Sequence, residues 1–221
     1  MLFRSGSNLI LTIDIQLQVL AEKLLDGKIG SVVAIEPKTG EILALVSNPT
    51  FNPALLVGRQ RSKNYAELVR DPTKPLMNRA TQAQYSPGST FKPIQALVSL
   101  ELGGIDEHTR FGCNGKGSSP IKCTHSHGSP VDVLNAIEQS CNPYFWQAFR
   151  STIEKDGYGE KNKNFKHSFD QWREAVMSFG FGHKFEDSDV YEQTRGNIPS
   201  EKFYNRYFGE TGWRAMTIRS L

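Results

Sequence analysis

Ser89 and Lys92 are the residues of this chain best placed to do covalent chemistry. They lie in Tyr85-Ser86-Pro87-Gly88-Ser89-Thr90-Phe91-Lys92-Pro93, where Pro87 and Gly88 mark a tight entry and Ile94, Leu97 and Val98 follow at helical spacing. The pattern sets Ser89 where a turn becomes a helix. The first turn of a helix presents unpaired backbone N–H groups and partial positive charge, and residues three apart share a face, so Lys92 is expected to reach back toward the Ser89 hydroxyl. A serine hydroxyl attacks only when a base takes its proton, and a lysine serves as that base only where burial or nearby positive charge lowers its pKa. The ordinary alternative is a serine cap with a solvated lysine one turn on.

A second polar pair follows about fifty residues later. Val133, Leu134, Ile137 and Cys141 recur as on one helix face, Asn142-Pro143 interrupts the pattern, and Tyr144, Phe145, Ala148 and Phe149 resume it. Ser140-Cys141-Asn142 is therefore expected on a bend between two helices, with Ser140 and Asn142 able to project toward one point. Taken alone, such residues are ordinary helix caps.

Between these pairs, Phe111 to Pro130 is rich in Gly, Ser and His and carries Cys113, Cys123, His125 and His127. Thiolates and neutral imidazoles are what zinc prefers, so these four could close a tetrahedral structural site with no position left for substrate. A Cys113–Cys123 disulfide in an exported protein and simple burial of the cysteines with exposed histidines are the other readings. Three cysteines in all do not pair evenly, which argues against a disulfide framework.

The elements that must position these residues begin with Leu9 to Asp14, read as a short strand ending in a cap at Thr12 or Asp14. An amphipathic helix follows, closed near Gly27. Ser31–Ile35 and Ile42–Val46 read as strands joined by a turn over Glu36 to Gly40, and their near-continuous apolar character predicts a position in mid-sheet, covered by helices. Ser47 to Gln84 reads as loop with one helical turn near Tyr65 to Val69. The nucleophile helix runs to about Leu102 and stops at Gly103-Gly104. Beyond Ser151, Gly157 to His167 reads as a solvated loop, with Lys161, Lys163 and Lys166 exposed. Phe169 to Phe179 is expected to be a short helix, Pro199, Tyr204, Tyr207 and Trp213 a packed aromatic loop, and Trp213 to Leu221 the start of another helix.

With 221 residues the chain can bury a core of its own, and its net charge of +3 is small and scattered, so nothing points to nucleic acid. No run of eighteen or more apolar residues occurs, and Met1 to Asn8 is too short and polar for a signal peptide. The chain is expected to be either cytosolic or an excerpt of a longer exported protein anchored upstream.

Ser86-Pro87-Gly88-Ser89-Thr90-Phe91-Lys92-Pro93 resembles the nucleophile motif of the penicillin-binding protein transpeptidases, and Ser140-Cys141-Asn142 resembles their S-x-N motif, in the same order. The likeness extends to Leu11-Thr12-Ile13-Asp14, Thr39-Gly40-Glu41-Ile42-Leu43-Ala44, Asn78-Arg79-Ala80 and Asn205-Arg206-Tyr207-Phe208-Gly209, and among class B members it is greatest to the elongation-specific penicillin-binding protein 2 group. The resemblance implies an α+β, serine β-lactamase-like fold in which a partial antiparallel sheet packs with helices. It also implies a D-Ala-D-Ala stem peptide as acyl donor and β-lactams as acylating inhibitors, with Ser89 as nucleophile, Lys92 as its base, Ser140 as proton relay and Asn142 as a substrate-binding amide. Implied partners are cell-wall elongation proteins, including a glycosyltransferase. The implied location is the periplasmic or extracytoplasmic side of the cell membrane, held by an N-terminal anchor.

The family's third motif, Lys-Thr-Gly or Lys-Ser-Gly on a late strand, supplies the second oxyanion donor and a cationic residue. No such triplet follows Asn142, and Lys38-Thr39-Gly40 lies upstream on a strand-to-strand turn, where Gly40 has an ordinary turn role. Residues 1–221 are therefore expected to be the N-terminal and central part of a transpeptidase domain, without anchor, pedestal or third-motif segment, inactive alone and with an unpaired sheet edge. The alternatives are a β-lactam sensor or peptidoglycan-binding scaffold without turnover, and a serine β-lactamase.

Overall fold

The computed structural model describes residues 8–155, 157, 164–186, 188, 190, 192–213 and 218. The chain divides into two compact units, Met1–Ala83 with Lys184–Thr194, and Gln84–His183 with Arg195–Leu221. Helices and one antiparallel strand pair give the expected α+β class.

In the first unit, Asp14 caps α1 (Ile15–Leu25) by accepting the Gln16 and Leu17 N–H groups at 2.9 and 3.1 Å. Strands β1 (Gly30–Ile35) and β2 (Ile42–Asn48) pair antiparallel, with Val32 opposite Val46 and Ala34 opposite Ala44. Gly40 turns between them at φ +77°, so the Lys38-Thr39-Gly40 triplet is a turn in this unit.

Two expectations fail here. Leu9 to Asp14 is not a strand: Asp14 N–H reaches Leu43 O at 2.9 Å, and the Gln18 side-chain amide then takes both the N–H and the C=O of Leu45. A side chain thus occupies the edge of β2 that a strand ladder would need. Nor is the hairpin covered on both faces. Ala44 and Val46 are buried, but Val33 and Ile35 stand 43% and 55% exposed, because alternate residues of a strand face opposite sides.

The stretch expected as loop holds α2 (Arg61–Arg70) and a short α3 (Arg79–Gln82). No residue of α2 is buried. Six of its ten residues, Arg61, Lys63, Ala66, Glu67, Leu68 and Arg70, are good helix formers, so local propensity favours the helix without a buried stripe. The buried Arg79 donates to the carbonyls of Thr73 and Lys74, tying down the preceding turn.

In the second unit a 3-10 turn, Gly88–Phe91, runs directly into α4 (Lys92–Glu101). It is followed by α5 (Val133–Glu138), α6 (Asn142–Ile153), α7 (Phe165–Met177) and α8 (Glu201–Phe208). One apolar cluster joins Val98, Phe149, Ile153, Phe169, Trp172, Val176, Tyr204 and Trp213, and another joins Ala96, Val133, Ala136, Tyr144, Phe145 and Ala148. Helices α4 and α6 contribute to both, which makes them the frame of the unit. Full burial of a side chain such as Phe149 or Phe169 contributes roughly 1.5–3 kcal/mol.

The tail departs from its sequence reading. Helix α7 starts four residues before the expected Phe169. The expected aromatic loop is largely α8, capped by Ser200 and closed at Gly209 with φ +73°. Trp213 is fully buried against Tyr204, Phe165 and Phe169, whereas Tyr207 is exposed. Lys166, expected to be solvated, pairs with Glu201 at 2.8 Å and lies 5.0 Å over the Trp213 ring. Lys161, Lys163 and most of the expected final helix lie outside the described residues.

Candidate active site

Pro87 and Gly88, the latter at φ +60°, turn the chain so that Ser89 enters the 3-10 turn ahead of α4. The Ser89 carbonyl accepts the Lys92 N–H, while Ser89 itself is exposed. Its N–H belongs to the first turn, where helix geometry itself supplies no acceptor.

Ser140 is positioned by the end of α5. Its N–H bonds Ile137 O at 3.0 Å and the Cys141 N–H bonds Ala136 O at 2.9 Å, the paired bonds of a Schellman ending. That ending needs a left-handed residue after the cap, a place glycine usually fills. Here it is Ser140 at φ +48°. Backbone strain of about 1 kcal/mol is accepted at this point, and a side chain is thereby aimed where glycine has none. Cys141 then caps α6, whose first residues are Asn142 and Pro143, so the proline follows a helical Asn142 instead of ending a helix before it.

These elements bring Ser89, Lys92, Ser140 and Asn142 together. Lys92 Nζ donates to Ser140 O at 2.6 Å, Ser140 Oγ at 2.9 Å and Asn142 Oδ1 at 2.7 Å, and Ser140 Oγ donates to Ser89 Oγ at 3.0 Å. The direct Lys92-to-Ser89 reach expected from helix spacing is replaced by a connection through Ser140, because the left-handed turn places that hydroxyl between the two. Asn142 Nδ2 is fixed on Lys122 O at 3.1 Å, leaving one lone pair of Oδ1 for another donor. Lys92 is 8% exposed and 5.7 Å from the centre of the Phe145 ring. Burial pushes its pKa below the ordinary lysine value, and negative charge on Cys123 and Cys141 opposes that shift.

Next to this group lies a second cluster. The ligand atoms of Cys113, Cys123, His127 and Cys141 all lie within 4.8 Å of one another. His125, expected as a ligand, is outside the cluster, its Nδ1 3.0 Å from Thr124 Oγ1, and Cys141 takes its place. The three cysteines are free thiols, so no Cys113–Cys123 disulfide is present. Cys123 Sγ lies 3.4 Å from His127 Nε2, and His127 Nδ1 lies 2.8 Å from Gly128 O. Burial pushes the Cys123 thiol up, but the Asn142 N–H, the His127 ring and the His125 N–H outweigh it and bring it to about 7, while burial pushes Cys141 up to about 12. Cys141 lies outside the Cys- and His-bearing loop, and its only sequence signal is its place as the middle residue of Ser140-Cys141-Asn142.

Residues 30–216 match the penicillin binding protein transpeptidase domain. The peptidoglycan D,D-transpeptidase MrdA of Escherichia coli strain K12 is 32% identical over 222 residues, which cover 97% of this chain and 32% of that protein. Pseudomonas aeruginosa PBP2, in complex with WCK 5153, aligns with a TM-score of 0.71 and 31% identity over 93% of this chain and 44% of the other. Helicobacter pylori PBP2, in a complex with MreC, gives a TM-score of 0.72 and 25% identity over 92% and 36%. The chain thus spans about a third of the length of the curated relative it matches.

Proposed function

This chain belongs to the penicillin-binding protein transpeptidase family, and from that premise we propose that the protein carrying it cross-links peptidoglycan stem peptides through an acyl ester on Ser89. The observation that carries this reading is the line Lys92–Ser140–Ser89, with contacts of 2.9 and 3.0 Å. Ser89 Oγ attacks the carbonyl of the penultimate D-alanine. With Lys92 neutral its lone pair accepts from Ser140 and both hydrogen bonds turn round, so the Ser89 proton passes to Ser140 and the Ser140 proton passes to Lys92. The Ser89 N–H, at the start of the turn, faces the oxyanion. Proton return along the same line releases D-alanine as a neutral amine, and the amine of a second stem peptide then attacks the ester, forms the cross-link and restores the hydroxyl. Asn142, anchored on Lys122 O, offers its remaining lone pair to a substrate amide N–H.

The test is D-alanine release from a D-Ala-D-Ala stem peptide by the full-length protein. Release lost in Ser89→Ala supports the reading, and undiminished release overturns it. Acyl-enzyme lifetime with penicillin separates the competing chemistries: minutes or less indicates a β-lactamase, and hours without cross-linking activity indicates a sensor. MrdA as relative and a PBP2 paired with MreC support a protein that works in the cell wall beside an MreC-like partner; the membrane anchor, the extracytoplasmic location and a glycosyltransferase partner are what the family resemblance implies. Among the described residues no helix is long and apolar enough to cross a membrane.

Cys113, Cys123, His127 and Cys141 fit a structural zinc ion. Thiolates about 2.3 Å from zinc in a tetrahedron lie about 3.8 Å apart, within the spread of these atoms. The His127 Nδ1 contact with Gly128 O leaves Nε2 to the metal, the usual outer support of a histidine ligand. Four protein ligands fill the tetrahedron, so the ion would shape the loop without touching substrate. Metal analysis of purified protein tests this: about one zinc per chain, lost in Cys141→Ala, is expected, and metal-free protein would refute it.

A further inference from the structure

Behind the site, a line of hydrogen-bonded polar side chains crosses α4, α6 and α7. Gln95, one turn after Lys92, donates from Nε2 to Ser99 Oγ at 2.8 Å and accepts at Oε1 from Trp172 Nε1 of α7 at 2.9 Å. Ser99 Oγ and Thr152 Oγ1 of α6 are 2.9 Å apart, and Thr152 Oγ1 lies 2.8 Å from Ala148 O. Each hydroxyl has one hydrogen, so one direction satisfies all of them: Gln95 to Ser99, Ser99 to Thr152, and Thr152 to the Ala148 carbonyl. Gln95, Ser99, Thr152 and Trp172 are 5%, 0%, 1% and 4% exposed, so none can meet substrate.

Gly104 closes over the same place. Its N–H bonds Ser99 O at 2.9 Å, and a side-chain carbon on it would sit 2.6 Å from Thr152 Cα. Only glycine lets the segment after α4 lie this close to α6. The same three helices carry buried apolar residues of the two clusters, among them Val98, Phe149 and Val176. Apolar contacts tolerate small slides of one helix along another. A buried polar line does not, since a slide leaves its members unpaired at about 1–3 kcal/mol each.

Helix α4 is therefore tied to α6 at two places. One is the contact of Lys92 with Asn142 at 2.7 Å, and the other, about two turns further along α4, is the contact of Ser99 with Thr152. We propose that Gln95, Ser99, Thr152 and Trp172 are positioning residues for Ser89 acylation: their line fixes the register of α4 against α6 in which Lys92 meets Ser140 and Asn142. This rests on the reading of Ser89 as nucleophile. The residues act through Lys92 and touch no reacting atom.

The test measures penicillin acylation of the full-length protein, separating the rate constant at saturation from the half-saturating concentration. Thr152→Val and Gln95→Met are expected to lower the saturated rate about tenfold with little change in half-saturation, whereas Thr152→Ser, which restores the hydroxyl, stays within about threefold of wild type. Val176→Ala, an apolar truncation in the same core, serves as the stability control and is expected to keep the wild-type rate at temperatures where it is folded. Trp172→Phe, which keeps a ring and loses the N–H, replaces any variant that does not fold. Wild-type saturated rates in the polar variants, or losses matched by Val176→Ala at equal Tm, would overturn the proposal. No acylation of Ser89 in the wild-type protein would instead overturn the reading of the site.

Discussion

Ser140 Oγ donates to Ser89 Oγ at 3.0 Å from a backbone held at φ +48°, so the hydroxyl next to the proposed nucleophile stands on a residue in a conformation that favours glycine. Function and stability are opposed at this one position. Ser140→Gly relieves the left-handed backbone and Ser140→Ala keeps it, while both delete the hydroxyl. The glycine variant is expected to be the more stable by about 1 kcal/mol, and both are expected to acylate about a hundredfold more slowly. Thermal melts and penicillin acylation rates measure the two effects, and an alanine variant at least as stable as the glycine variant would contradict the strain argument.

In the proposed mechanism Lys92 is the group expected to set the pH dependence. Burial disfavours its ammonium, so it loses its proton at a lower pH than free lysine with its value of 10.5. Only the neutral amine can accept the proton relayed from Ser89, so the acylation rate is expected to rise with pH and level off with an apparent pKa below 10.5. Lys92→Arg, charged throughout, is expected to lose this limb and about a hundredfold or more in rate. An unchanged limb in Lys92→Arg would assign the titration to another group.

The cysteine cluster touches the active site through the chain itself. Cys141 stands between Ser140 and Asn142, and Cys123 follows Lys122, whose carbonyl accepts from Asn142. Removing zinc with a chelator is expected to lower both Tm and acylation rate, and added zinc to restore them. Binding must displace the Cys141 proton, held up to about 12 in the metal-free chain, so zinc affinity is expected to rise with pH. Competition titrations at several pH values check the sign, and an affinity independent of pH would argue against thiolate ligands.

The legible parts of this protein are those set by local spacing. Ser89 and Lys92 lie one turn apart, and Ser140 and Asn142 flank one bend, so short stretches of sequence specify them. The intervention of Ser140 between Lys92 and Ser89 was not legible, since it depends on a left-handed turn that serine rarely adopts. His125 and His127 are equivalent in composition. Side-chain direction alone separates them, and helix α5 carries Cys141 back to the loop. Helix α2 has no buried face to give a period, and the expected strand at Leu9 to Asp14 was displaced by a glutamine side chain on α1. A long-range partner, the Leu45 backbone, decides the second of these.

Residues 143–221 contain no Lys-Thr-Gly or Lys-Ser-Gly triplet, the element that the resemblance implies for the second oxyanion donor. One missing donor costs about 2.7–4 kcal/mol, or a hundredfold to a thousandfold in rate. Fluorescent penicillin is therefore expected to label the isolated chain far more slowly than the full-length protein. Prompt stoichiometric labelling of the isolated chain would show that one donor suffices.

Peptide mapping of the full-length protein after treatment with penicillin tests the assignment of the nucleophile most directly. The penicilloyl mass is expected on the peptide containing Ser89, at one equivalent per chain, and absent in Ser89→Ala. Label on a different residue, or undiminished label in Ser89→Ala, would contradict the account.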